Sequence, residues 1–251
     1  MVVFIPFVVY GGLPFTLLIY LLATIAILEL IKMNDSFSGW FPTILAIVFV
    51  WILLIPDTFQ VTSYVGYTKT EVVMIFVMAV LAYSVLSKNK FTFNHASFLL
   101  LASIYVGMGF YFLNETRMEG LHYILYALFV IWATDTGAYF FGRAFGKRKL
   151  WPTISPNKTI EGAIGGLVSA GVVGYVFHLV YPFDTSVFII LVVTILVSIV
   201  GQIGDLVESA YKRHYNVKDS GQILPGHGGI LDRLDSLLFV VPFLHLIHFI
   251  S

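Results

Sequence analysis

The chain has 251 residues, 59% of them hydrophobic and 11% charged, with a mean hydropathy of +0.91. An average soluble domain carries about 25% charged residues, so this composition excludes a soluble globular enzyme and points to an all-α, polytopic integral membrane protein. The formal net charge of zero says nothing about partners until the charges are placed, no nucleic-acid partner is expected, and the absence of cysteine excludes disulfides, thiolate metal ligands and a cysteine nucleophile.

Taken in chain order, apolar runs fall at residues 2–31, 40–55, 72–86, 96–113, 121–141, 163–181, 187–203 and 237–250. A spanning helix needs about 20 such residues. Gly11, Gly12 and Pro14 break the first run into a short entry helix and one span, or into two shallow segments, so eight or nine transmembrane helices are expected. The opening MVVFIPFVVYGG has neither a basic lead nor a small-residue cleavage site and reads as mature membrane segment. Little room remains for a separate soluble domain. The organisation expected is one continuous membrane domain, with N-terminal helices over 1–120 and a C-terminal catalytic region over 121–251.

Short cytoplasmic loops carry the excess of Lys and Arg. Letting the loops alternate sides places Lys32, Lys88, Lys90, Arg143, Lys147, Arg148, Lys149, Lys158, Lys212, Arg213, Lys218 and Arg233 on one face, and only Lys69 and Arg117 on the other. The second face holds Asp57, Glu71, Glu115, Glu119 and Asp184. The loop systems over 142–158 and 205–235 are therefore predicted to be cytoplasmic, on a multi-pass protein of the cell membrane.

A charge in lipid is expensive unless paired, hydrated or metal-bound, which singles out GDLVESAYKRHYNVKDSGQILPGHGGILDRLD, residues 204–235. Asp205, Glu208, Ser209 and Lys212 recur at helical spacing as the continuation of the 187–203 run, so they share one face. Gly228 and Gly229 open backbone conformations closed to other residues, and exposed N–H groups in such loops bind anions. Asp232 and Asp235, three residues apart at a helix start, suit a divalent ion or helix capping, and neither role excludes the other. Arg233 offers a phosphate fork. Among seven histidines only His227 lies in the glycine-rich loop.

Upstream, Asp135 sits in an apolar run between Thr134 and Thr136, and Ser155-Pro-Asn-Lys158-Thr159-Ile-Glu161-Gly supplies a lysine and a hydroxyl of the kind that suits phosphate contacts. Gly142-x-x-x-Gly146-Lys147 lacks the spacing and the Ser/Thr of a P-loop. Gly162-x-x-x-Gly166 suits close packing of two spans.

Ser209-Ala-Tyr-Lys212-Arg213, then Lys218-Asp219-Ser-Gly221, then Pro225-Gly-His227-Gly228-Gly229-Ile-Leu-Asp232-Arg233-Leu-Asp235 resembles the signature of phosphatidate cytidylyltransferases, the CDP-diacylglycerol synthases. The blocks Asp135-Thr-Gly-Ala-Tyr139 and 155–162 are similar to family blocks in the same order. The resemblance covers about the last 130 residues, and the N-terminal spans match by hydropathy alone.

The resemblance implies condensation of CTP with phosphatidic acid to CDP-diacylglycerol and pyrophosphate, dependent on Mg²⁺ or another divalent cation. It implies Asp205 and Asp232 as metal ligands, supported by Asp135, Asp219 and Asp235. Catalytic roles would fall to Asp205, Asp232, Lys212, Lys218, Asp219 and Arg233. Substrate contacts would fall to Lys158, Thr159, Glu161, Ser209, Arg213, His227, Gly228 and Gly229. Membrane lipids are the implied surroundings, and a homodimer is compatible with the family and the glycine-rich faces. A cation transporter would instead string its polar groups near the midplane of two related halves, and a CTP-dependent polyprenol kinase would release CDP.

Overall fold

The computed structural model of the chain describes residues 4–34, 39–56, 66–222 and 228–250. Asp57 and His227, both singled out from sequence, lie outside the described residues. Numbered in chain order over the described residues, the elements are α1 Phe4–Tyr10, α2 Gly12–Met33, α3 Trp40–Leu53, α4 Lys69–Leu86, α5 Phe93–Glu119, α6 Leu121–Phe145, β1 Lys149–Trp151, β2 Ser155–Thr159, α7 Ile160–Val180, α8 Val187–His214 and α9 Leu231–Leu246.

Six of these helices (α2, α4, α5, α6, α7 and α8) are long and apolar enough to cross a membrane. α3 has 14 residues and α9 has 16, so two of the eight apolar runs form helices below spanning length, and α9 contains Pro242. The protein is a helical membrane protein with one departure from the all-α expectation. Part of the loop between α6 and α7 pairs as an antiparallel hairpin, Lys149 opposite Thr159 and Trp151 opposite Ser155. Outward-facing Leu17, Met74, Val168, Val172 and Phe188 are more than half exposed, as expected where lipid replaces water around the helices.

The contacts divide the chain into two compact units, Met1–Glu115 with Asp219–Leu231, and Thr116–Lys218 with Asp232–Ser251. In the first, α2, α3 and α4 pack in succession, with Phe49 stacked on Phe76 at 3.9 Å and Trp51 Nε1 donating to Thr24 Oγ1 at 2.8 Å. α4 begins with a capping box: the Thr68 side chain accepts from Glu71 N–H and Glu71 accepts from Thr68 N–H. Between α4 and α5, Lys69 Nζ lies 3.4 Å from the centre of the Tyr111 ring, a cation–π contact that offsets the cost of a charge among apolar helices.

In the second unit, small residues let α6 and α7 approach closely, as the spacing of Gly162 and Gly166 predicts. A Cβ on Gly162 would stand 2.7 Å from the Ala138 carbonyl oxygen, and one on Gly166 would stand 2.9 Å from that of Thr134. Gly204 does the same for α8 against α9, 2.9 Å from the Asp235 carbonyl oxygen. Buried hydroxyls pair across the interfaces, Thr134 Oγ1 with Ser198 Oγ at 2.8 Å and Tyr126 with Thr194 Oγ1 at 2.7 Å. Each hydroxyl is thereby satisfied where no water can reach it.

Candidate active site

The second unit contains a cavity of about 490 Å³. Its wall is built from α6 (Asp135, Tyr139, Arg143), the hairpin (Asn157, Lys158, Thr159), the start of α7 (Gly162, Ala163) and α8 (Gln202, Asp205). These stretches are far apart in sequence and meet because α6, α7 and α8 pack side by side through their small residues. Lys158, on β2, is ion-paired with Asp205 on α8. Asp135 interacts electrostatically with both partners.

Two turns along α8, Lys212 Nζ donates to Glu208 Oε2 at 2.9 Å and to Asp232 Oδ1, at the start of α9, at 2.6 Å. Glu208 is 3% exposed, and its Oε1 is buried without a hydrogen-bond partner among the described residues. Asp235, a turn beyond Asp232, interacts electrostatically with Asp205 and Asp135. Its Oδ1 accepts from the adjacent Ser236 N–H at 2.7 Å. Five carboxyl groups, Asp135, Asp205, Glu208, Asp232 and Asp235, thus face two ammonium groups, Lys158 and Lys212.

Such an excess of hard oxygen donors suits a divalent cation, and the unpartnered Glu208 oxygen suits it further. Among the described residues, no three His, Cys, Asp or Glu side chains converge into a ready-made metal site. A coordination shell here would be completed by water and phosphate oxygens, which is how Mg²⁺ is usually held.

Other residues expected at the site have identifiable positions. Thr159 lines the cavity and caps α7, its Oγ1 accepting from Gly162 N–H at 3.1 Å. Glu161 accepts from the backbone N–H groups of Lys147 at 3.1 Å and Arg148 at 3.2 Å, tying down the entry to the hairpin. Arg213 Nε donates to the Ile154 carbonyl at 3.3 Å, bracing the hairpin turn against α8. Ser209 is half-buried on α8, Lys218 is exposed beyond its end, and Arg233 is exposed on α9. Tyr139, Arg143, Asn157 and Gln202 line the cavity although sequence reasoning did not select them. All but Gln202 lie in the quoted motif blocks or beside them, and Gln202, a lone amide in an apolar run, was the available signal.

Asp219, Gly228 and Gly229 belong to the first unit. Gly228 has φ of +82°, the left-handed backbone that glycine adopts without strain. Gly229 is needed for space, because a Cβ there would collide with Ser220 Oγ and come within 2.5 Å of Glu29 Oε1. Glu29, on α2, was missed. It is a single carboxylate inside the first apolar run, and the cost of a charge in lipid was the signal that could have found it.

A model of the cytidylyltransferase family matches residues 1–251. The phosphatidate cytidylyltransferase of Bacillus subtilis (strain 168) is 49% identical over 247 residues, covering 97% of this chain and 92% of that protein. Those of Staphylococcus saprophyticus and Staphylococcus aureus (strain COL) are also 49% identical over 247 residues, with 98% and 94% covered. With its full length matched, and with Asp135, Arg143, Lys158 and Asp205 around one cavity, the chain belongs to the cytidylyltransferase family.

Proposed function

We propose that this chain is a membrane nucleotidyltransferase that condenses CTP with phosphatidic acid to form CDP-diacylglycerol and pyrophosphate, in phospholipid synthesis. An oxygen of the lipid phosphate attacks the α-phosphorus of CTP. The new P–O bond forms as the bond from that phosphorus to the α–β bridging oxygen breaks, and pyrophosphate leaves with that electron pair. The lipid phosphate is already a nucleophile, so no protein nucleophile is required. What the barrier demands is neutralisation of crowded phosphates and in-line placement.

The observation that carries this reading is the cavity in which Lys158, Asp205 and Asp135 meet, in a chain 49% identical to phosphatidate cytidylyltransferases over almost its whole length. Lys158 and Arg143 supply positive charge to phosphate oxygens at the cavity wall. Asp205 holds the Lys158 ammonium in place, and Lys212 does the corresponding work between Glu208 and Asp232. Asp205, Asp232, Asp135 and Asp235 are the residues that would hold Mg²⁺ or another divalent cation. Such an ion, when bound, neutralises phosphate charge and makes pyrophosphate a better leaving group.

The positive-inside count supports a site facing the cytoplasm, where CTP and Mg²⁺ are plentiful. Adding α3 and α9 to the six long helices makes eight spans, with the short pair accommodated by local thinning of the bilayer. A homodimer is consistent with the family, although Gly162 and Gly166 are already used in packing α7 on α6 within one chain. No finding favours a cation transporter or a polyprenol kinase.

The test supplies purified protein in detergent with radiolabelled CTP, phosphatidic acid and Mg²⁺, then repeats the assay with EDTA. Metal-dependent CDP-lipid with equimolar pyrophosphate is expected. Release of CDP with no CDP-lipid would mean γ-phosphoryl transfer and would overturn the assignment.

A further inference from the structure

The hydroxyl of Ser220 and the backbone N–H groups of Ile230 and Leu231 converge on a single carboxylate, that of Glu29, about two hundred residues earlier in the chain. Ser220 Oγ donates to Oε2 at 3.2 Å, Ile230 N–H to Oε1 at 2.9 Å and Leu231 N–H to Oε2 at 3.0 Å. Glu29 is 3% exposed and Ser220 5%. Both oxygens accept, all three partners donate, and a carboxylate is acceptor-only.

A buried carboxylate with fewer donors would destabilise α2, whereas here it is met by three hydrogen bonds. The chain around Glu29 is shaped to admit it. A Cβ on Gly221 would come within 2.5 Å of Glu29 Oε1, and so would one on Gly229. Gly221 and Gly229 therefore both leave room for the same side chain.

We propose that Glu29 is a positioning residue for this enzyme. Its carboxylate holds Ser220, Ile230 and Leu231 and thereby sets the geometry with which the adjoining Gly228 and Gly229 meet nucleotide phosphates. The inference rests on the reading that the Gly228–Gly229 loop contacts substrate phosphate. Glu29 itself touches no substrate in this scheme. It acts through the backbone of Ile230 and Leu231, which follow Gly228 and Gly229 directly in the chain.

The experiment compares Glu29→Gln, Glu29→Ala and Gly229→Ala with wild type, measuring amide hydrogen exchange at Ile230 and Leu231 without substrate, and KM for CTP and kcat with it. Glu29→Gln keeps the shape but turns an NH₂ donor toward an N–H, so it reports even where Glu29→Ala fails to fold. Faster exchange at both amides is expected, with KM for CTP raised about tenfold or more and kcat lowered less, because ground-state contacts to the nucleotide are loosened. Gly229→Ala, which displaces the carboxylate without removing it, is expected to reproduce this pattern. Glu29→Asp, which retains two acceptor oxygens, is expected to recover part of the lost affinity.

Unchanged exchange at Ile230 and Leu231 in Glu29→Gln would overturn the proposal. Faster exchange with wild-type KM would also overturn it, by separating the clamp from substrate use. A Gly228→Ala variant with wild-type KM would instead overturn the phosphate-loop reading on which it rests, and neither result touches the assignment of the overall reaction.

Discussion

Lys212 Nζ sits 2.6 Å from Asp232 Oδ1 and 2.9 Å from Glu208 Oε2, so one ammonium bridges two carboxylates on different helices. The Glu208 and Asp232 side chains are 3% and 9% exposed and that of Lys212 15%. At such burial the attraction is weakly screened, while removal of one partner strands charge that was desolvated for the pair.

Lys212→Met is therefore expected to lower stability by about 3 kcal/mol, the scale for breaking a buried pair, and to abolish most turnover. A double-mutant cycle of Lys212→Met with Asp232→Asn, read by thermal unfolding in detergent, should return a coupling of about 1 to 3 kcal/mol. A coupling near zero would show that the α8–α9 bridge contributes nothing measurable.

Asp205 joins α8 to β2 through Lys158, and it borders the same cavity as Asp135. Asp205→Asn and Asp232→Asn are each expected to reduce turnover at least about 100-fold, since loss of a ligand or its charge removes several kcal/mol of transition-state stabilisation. EDTA should abolish CDP-lipid formation by the wild type, and Mg²⁺ should restore it. Near wild-type rates in both variants would remove these two carboxylates from the metal assignment while leaving the activity intact.

Close contact of α6 with α7 predicts a sharp contrast between two glycines of α7. Gly162→Val would drive carbon into the Ala138 carbonyl, which is backbone and cannot swing aside. A cost of about 1 to 3 kcal/mol is expected from overpacking, together with loss of activity, because Gly162 and Ala163 line the cavity. Gly171→Ala meets only Ile195 Cδ1, at 3.9 Å, and should leave the unfolding temperature close to wild type.

Thr134→Val removes the hydroxyl bonded to Ser198 at 2.8 Å while keeping the side-chain shape. Interhelical hydrogen bonds within membranes average about 0.6 kcal/mol and reach about 1.7, so the effect should be smaller than that of Gly162→Val. A larger loss than Gly162→Val would mean that the Thr134–Ser198 hydroxyl pair outweighs the close packing of α6 on α7.

Much of the site could be read directly from the chain. Charge in an apolar context picked out Asp135, Asp205, Asp232 and Asp235, because lipid makes every uncompensated carboxylate costly. Helical spacing correctly put Glu208 and Lys212 within reach of each other, and the Gly162–Gly166 spacing anticipated the tight α6–α7 packing. Period alone could not show that residues 149–159 include a hairpin. Nor could it show that two apolar runs form helices of only 14 and 16 residues, since strand pairing and helix ends depend on partners outside the local window.

By itself, then, the sequence determined the membrane class, the family and the acidic and basic residues worth watching, because composition, spacing and motif order are properties of one dimension. Tertiary structure alone decided which charges meet: Lys158 with Asp205, Lys212 with Asp232, and Glu29 with the backbone of Ile230 and Leu231. Those pairings span from 20 to 202 residues of chain. They exist because packed helices bring such groups within about 3 Å, where a desolvated charge must find its partner.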